Sequence, residues 1–140
     1  MDQAERLVRD LIDHVWNSGH LEDIEHFFAP TFDHGGREDT PEGIRQWHRD
    51  DALTWADARW EILALTGDGV RYAVRWRCTA RHVGPWGPVA ATGRSVTWEG
   101  VHFFTVHNGQ ITALWAIADV FNKALQLGVT LVPPEAETEA

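Results

Sequence analysis

The residue types best placed to do chemistry lie near the C-terminal end of the sequence. Asp119 sits in Trp115-Ala116-Ile117-Ala118-Asp119-Val120-Phe121, a run with no other charge. A carboxylate against apolar walls loses solvation, which raises its pKa toward the range that a general base near neutral pH needs. The same pattern suits a carboxylate that caps a helical turn after a strand has ended. Pattern alone does not separate the two readings. Three histidines could complement the acid. His34 follows Phe32-Asp33 and precedes Gly35-Gly36, His82 ends a long strand-like run, and His102 lies inside the next. Each could donate a proton or polarise a carbonyl, and each also fits a packed, partly buried histidine.

Other chemistries find little support. There is no Gly-x-Ser-x-Gly elbow, no phosphate-binding glycine loop with lysine and no dinucleotide fingerprint. The one cysteine, Cys78, excludes an intrachain disulfide and a multi-cysteine zinc site, and its apolar mid-strand setting reads as an inert core thiol. None of the eight histidines shows the two-His helical spacing of a zinc protease, so neither a metal nor a cofactor is expected. His14, His20, His26 and His48 fall in the helical region and read as structural, and His107 as a turn residue.

The elements that must position these groups follow from periodicity. Residues 3–17 carry apolar residues at three- and four-residue steps and predict a helix, stopped by Asn17-Ser18-Gly19. Residues 21–28 predict a second, short helix. Thr31-Phe32-Asp33-His34 is extended. Thr40-Pro41-Glu42 is a helix start, with Thr as N-cap and Pro in the first turn, and this helix should reach about Leu53 with Ile44, Trp47 and Leu53 inward. From residue 58 the pattern changes to strands at 59–66, 70–82, 94–106 and 110–120, with hairpin signals at Gly67-Asp68-Gly69 and His107-Asn108-Gly109. Residues 121–127 add a helical turn. Helices first and an antiparallel meander after them predict an α+β domain over residues 1–130, with residues 131–140 as a disordered acidic tail. Alternation puts Trp76, Cys78 and His82 on one face, Trp98, Gly100, His102 and Phe104 on another, and Ile111, Trp115, Ile117 and Asp119 on a third. Arg75 falls outward.

Seven segments together resemble the SnoaL-like polyketide cyclase family. They are Asp-His-Val-Trp-Asn-Ser-Gly-His-Leu-Glu at 13–22, Phe-Phe-Ala-Pro-Thr-Phe-Asp-His at 27–34, Thr-Pro-Glu-Gly-Ile at 40–44, Tyr-Ala-Val-Arg-Trp at 72–76, Thr-Gly-Arg-Ser-Val-Thr-Trp-Glu-Gly-Val at 92–101, Phe-Phe-Thr-Val-His-Asn-Gly-Gln-Ile at 103–111 and Trp-Ala-Ile-Ala-Asp at 115–119. The resemblance covers about residues 5–128. It implies the nuclear transport factor 2-like cone, a strongly curved antiparallel sheet wrapped around N-terminal helices, with an apolar pocket and a homodimer or higher homo-oligomer formed through the sheet. It also implies that Asp119 is the acid/base of a cofactor-independent aldol ring closure. His34 matches a pocket-facing His, and His102 stands where many relatives carry an acid.

The expected ligand is a small hydrophobic molecule, polycyclic or polyketide in type. The motive is the density of aromatic residues on faces read as inward: Trp16, Trp47, Trp76, Trp98, Trp115 and Phe104, with Ile117 beside them. Two alternatives stand beside the cyclase. One is epoxide opening by Asp119 bridged to Arg75. The other is a non-catalytic binding or dimerisation module, which predicts a filled pocket and an Asp119 turned to solvent. The chain has 140 residues, 12 basic and 21 acidic, with a net charge of −9, which argues against nucleic acid and anionic membranes as partners. With no apolar run long enough to span a bilayer and no basic, apolar start, the sequence reads as a cytoplasmic protein. All but one of its basic residues are arginine, the exception being Lys123.

Overall fold

A computed structural model describes residues 1–136. Helix α1, Gln3–Asp10, starts at Asp2, whose carboxylate accepts the Glu5 N–H at 2.7 Å. It runs straight into a π-wound segment, Leu11–Asn17. The expected helix is therefore continuous, and its second half is wider wound. Val8, Leu11, Ile12, Val15 and Trp16 form its buried stripe. The expected second helix is a 3-10 turn, Leu21–His26.

Strand β1, Phe28–His34, and the short β2, Arg37–Asp39, make a hairpin. Helix α2, Pro41–Thr54, begins as its sequence requires, with Thr40 Oγ1 accepting the Gly43 N–H at 3.2 Å. The meander follows: β3 Trp55–Gly67, β4 Arg71–His82, β5 Ser95–His107 and β6 Gln110–Ala118, closed by helix α3, Val120–Gln126. The six strands form one sheet in the order β2-β1-β6-β5-β4-β3. The meander is antiparallel as expected, but β1 pairs with β6 in parallel, so the sheet is mixed. β1 is laid down before the meander, and β6 returns beside it only at the end, running the same way.

The inner face of the sheet packs on α1 and the π-wound segment through Tyr72, Val74, Phe104, Val106, Ile111 and Leu114. A second cluster, with Trp55, Trp76, Cys78, Trp98 and Leu127, fills the far end. Cys78 is fully buried there, and burial pushes its thiol up to about 12, which agrees with an inert core residue.

One irregularity sets the chemistry of β6. Val106 pairs with Ile111 but Thr105 pairs with Ala113, so Thr112 is an extra residue in a bulge. A bulge shifts strand parity by one and flips every later side chain to the other face. Residues 131–136 have no regular structure and are exposed, and 137–140 of the expected tail lie outside the described residues. Among the described residues no helix is long and apolar enough to cross a membrane.

Candidate active site

The helices and the inner sheet face enclose a cavity of about 310 Å³. Four elements build its wall. The π-wound segment supplies Trp16, and α2 supplies Ile44, Trp47, His48 and Asp51, an i, i+3, i+4, i+7 stripe on one helix face. The inner sheet face supplies His34, Trp60, Trp76, Trp98 and His102, and α3 supplies Lys123. The volume is that of a site for a small molecule rather than a core filled by its own tryptophans.

His102 lies deep in this wall, with ring centroids 4.8 Å from Trp16, 5.6 Å from Trp76 and 5.5 Å from Phe104. Burial pushes its pKa down to about 3, with His34 and His48 adding to the effect. Its Nδ1 is sealed without a partner among the described residues, so the ring meets the cavity through its other edge. His48 is pushed down to about 4 by burial alone. Both imidazoles are neutral at pH 7. His34 is different: its Nδ1–H donates to Asp39 Oδ2 at 2.8 Å, which fixes the ring's tautomer and orientation.

The charged pair of the cavity is Asp51 and Lys123. Burial raises the pKa of the Asp51 carboxyl, with the Lys123 charge opposing. Burial lowers the pKa of Lys123, against Asp51 and Cys78. The Lys123 ammonium stands 3.9 Å from the Trp98 ring, 4.1 Å from Trp55 and 5.2 Å from Trp86, whose faces favour the charged form. Neither charged group has a side-chain hydrogen bond among the described residues, and each lines the cavity.

The structure brings together His34, His102, Trp16, Trp47, Trp76 and Trp98 among the expected site residues. It separates most of the others. Asp119 is exposed and caps α3, its Oδ1 accepting the Asn122 N–H at 3.0 Å; it borders a shallow outer groove with Arg75 and Glu99 instead of the cavity. Arg75 is itself taken by Glu99, at 2.7 Å, so the Asp119–Arg75 bridge that would favour epoxide opening is not formed. The solvent-facing Asp119 is what the binding-module reading expected, whereas the open cavity is not.

Trp115 lies on the outer face beside Phe103, at 5.5 Å, because the Thr112 bulge has reversed the parity of β6. Ile117 pairs with Val101 on that outer face, yet it is also among the residues that line the cavity, as expected. Phe104 is buried behind His102, in the core. His82 is fully buried, 4.9 Å from Trp55, and the Thr92 N–H donates to its Nδ1 at 3.1 Å; it anchors the loop after β4. Leu53, expected inward, is 74% exposed, since it falls outside the 44–47–48–51 stripe. Sequence reasoning missed Trp60, His48, Asp51 and Lys123. The α2 stripe held the signal for two of them, as did the singular lysine for a third.

The SnoaL-like polyketide cyclase family model matches residues 6–127. A SnoaL-like polyketide cyclase from Agrobacterium tumefaciens superposes with a TM-score of 0.82 at 22% identity, over 91% of this chain and 100% of that one. TsrD from Streptomyces laurentii does so at 0.80 and 24%, over 91% and 98%. IdmH from Streptomyces antibioticus does so at 0.80 and 22%, over 91% and 100%. At these identities the likeness is one of fold. No curated protein matches the sequence. The family match spans the described fold from α1 to the end of α3, and the chain belongs to the SnoaL-like polyketide cyclase family.

Proposed function

We propose that the protein is a cofactor-independent enzyme that closes a ring in a planar, hydrophobic β-dicarbonyl compound of polyketide type, with Asp51 as its base. The observation that carries this reading is the Asp51 carboxylate in the wall of the Trp-lined cavity, without a hydrogen-bond donor among the described residues and with the Lys123 ammonium beside the same space. A desolvated carboxylate is a stronger base than a hydrated one. Indole faces hold the flat substrate.

Asp51 removes a proton from the carbon between two carbonyls. The enolate oxygen takes a hydrogen bond from the Lys123 ammonium, and the neutral His102 ring adds a polar edge to that wall. The carbanion attacks a second carbonyl of the same molecule, forming the carbon–carbon bond and an alkoxide. The Asp51 carboxyl, now protonated, returns that proton to the alkoxide, and His34, oriented by Asp39, accepts a hydrogen bond from the hydroxyl that forms. The proton that left the substrate goes back to it, and Asp51 is a carboxylate again. Folding the chain so that the two carbons meet is the cavity's other contribution.

The test is hydrogen–deuterium exchange at the central carbon of an aryl β-ketoester in D2O, followed by NMR. Asp51→Asn should slow enzyme-dependent exchange by about 10²–10⁴-fold, whereas Asp119→Asn should leave it unchanged. If Asp119→Asn alone abolishes exchange, the base is Asp119, as the family resemblance implied. Absence of any enzyme-dependent exchange in the wild type defeats the reading. A homodimer paired through the sheet fits the exposed outer strip of Phe103, Trp115 and Ile117. Sedimentation of the wild type against Trp115→Glu tests it, and equal masses would count against that interface.

A further inference from the structure

Outside the cavity, the side chains where the π-wound segment meets the 3-10 turn form a second chemical cluster. The turn Ser18-Gly19, with Gly19 at φ 76°, folds the chain back so that the His20 N–H donates to the His14 carbonyl at 3.2 Å. This lays the two imidazoles face to face, with centroids 4.3 Å apart and planes at 16°. The 3-10 turn then places Asp23 against them, its Oδ2 2.6 Å from His14 Nε2. One ligand atom from each of His14, His20 and Asp23 lies within 4.8 Å of the others. His26 approaches the same carboxylate from its other oxygen, with Nε2 4.0 Å from Asp23 Oδ1.

We propose that His14, His20 and Asp23 form a surface Zn²⁺ site, with His26 in reach as a fourth ligand. Zn–N and Zn–O bonds of about 2.0–2.2 Å require donor atoms about 3–3.5 Å apart. The three donors are therefore a small side-chain rotation from that geometry, and the His14–His20 backbone bond already holds two of them together. Imidazoles with one carboxylate suit Zn²⁺ and its neighbours in the transition series, and not Mg²⁺ or Ca²⁺, which take oxygen ligands. His14 would exchange its contact with Asp23 for the metal.

Ion pairing explains each contact singly: His14 with Asp23, and His20 with Glu22 at 3.1 Å. Each of the three proposed ligands also offers one donor atom within 4.8 Å of the other two, and a divalent ion at those atoms would hold all three at once. Imidazole lone pairs lie in the ring plane, so the ion would bind at the ring edges and the stack would open to admit it. The ion would staple the π-wound segment, which carries Trp16 of the cavity two residues beyond His14, to the 3-10 turn. Arg45 of α2 donates to the Leu21 carbonyl at 3.1 Å and pairs with Glu25, so the staple also reaches the helix that carries His48 and Asp51.

The test is titration calorimetry of the untagged full chain with ZnCl2 at pH 7.5, with MgCl2 as the control ion. The expected result is saturable one-to-one Zn²⁺ binding, no Mg²⁺ binding, and affinity lowered by about tenfold or more in both His20→Ala and Asp23→Asn. His20 is exposed, and circular dichroism checks that both variants fold. Long-range proton–nitrogen NMR spectra should show Zn²⁺ shifting the ring nitrogens of His14 and His20 and not those of His107. Unsaturable binding, or a wild-type affinity retained in both variants, overturns the proposal. So does a zinc-induced shift confined to other histidines.

Discussion

Acid should unfold this protein through two particular side chains, and the size of the effect follows from their burial. His48 and His102 have pKa values of about 4 and about 3 in the fold, against 6.5 for a free imidazole. Both values are depressed, so the stability these groups contribute is fully present above pH 6.5 and is lost as pH falls toward the folded values. Between pH 6.5 and 5 the unfolded chain takes up a proton at each histidine, and the folded chain does not. At about 1.4 kcal/mol per pH unit, each removes about 2 kcal/mol, or about 4 kcal/mol together. That is a large share of the roughly 5–15 kcal/mol that a domain of this size has. Asp51 has the opposite sign: its raised pKa makes folding favour the protonated acid, so it returns some stability in the acid range. The assay is urea unfolding at pH 7.5 and 5.0 for the wild type, His48→Gln and His102→Phe. The phenyl ring keeps the stack on Phe104, and each variant should lose about half of the pH dependence. A wild type equally stable at both pH values, or a double variant with an undiminished pH dependence, would refute the reasoning.

Two further outcomes follow from packing. Gly100 on β5 leaves room for the Trp76 ring; a Cβ there would stand 2.3 Å from Trp76 Cζ2 and 2.5 Å from the Ile117 carbonyl oxygen. Gly100→Ala should therefore cost about 3 kcal/mol in denaturant unfolding, the upper end for overpacking, because the carbonyl belongs to the sheet and cannot yield; a loss below about 0.5 kcal/mol would contradict the contact. Trp60→Ala should weaken binding of a planar hydroxyanthraquinone by about tenfold, measured by fluorescence quenching, and Trp115→Ala should not change it, because only Trp60 faces the cavity. The reverse order would place the ligand on the outer face.

The helical starts, the meander and the inner faces of β4 and β5 are readable because single-element rules decide them. Thr40-Pro41-Glu42 caps α2 whatever surrounds it, and alternation along Tyr72, Val74, Trp76 and Cys78 has an unbroken phase. β6 fails the same rule for one residue's sake. Thr112 carries no mark of a bulge, being neither glycine nor charged, yet it moves Trp115 and Ile117 across the sheet. The parallel pairing of β1 with β6 was also hidden, since it joins segments about 80 residues apart, a separation no local pattern encodes. In α2, reading only apolar residues as inward selects Ile44, Trp47 and Leu53, whereas the helical period selects His48 and Asp51. A helix that lines a cavity turns polar groups inward, so hydrophobicity and burial part company where the chemistry is.

This separation also bears on why Asp51 and Lys123 are where they are. The ionised carboxylate is disfavoured by its burial, which raises its pKa, and the ammonium by its own, which lowers its pKa. The two attract, but neither forms a side-chain hydrogen bond among the described residues, so the attraction compensates only part of each desolvation. The indole faces of Trp55 and Trp98 supply about 0.5–2 kcal/mol apiece to the ammonium and nothing to the carboxylate. A leucine at 51 and a methionine at 123 would fill the same wall with neither penalty. Stability alone thus does not account for two opposite charges facing one apolar space without closing on each other. The proposed reaction gives each charge a partner that the fold denies it: the ammonium an oxygen that becomes negative, and the carboxylate a proton.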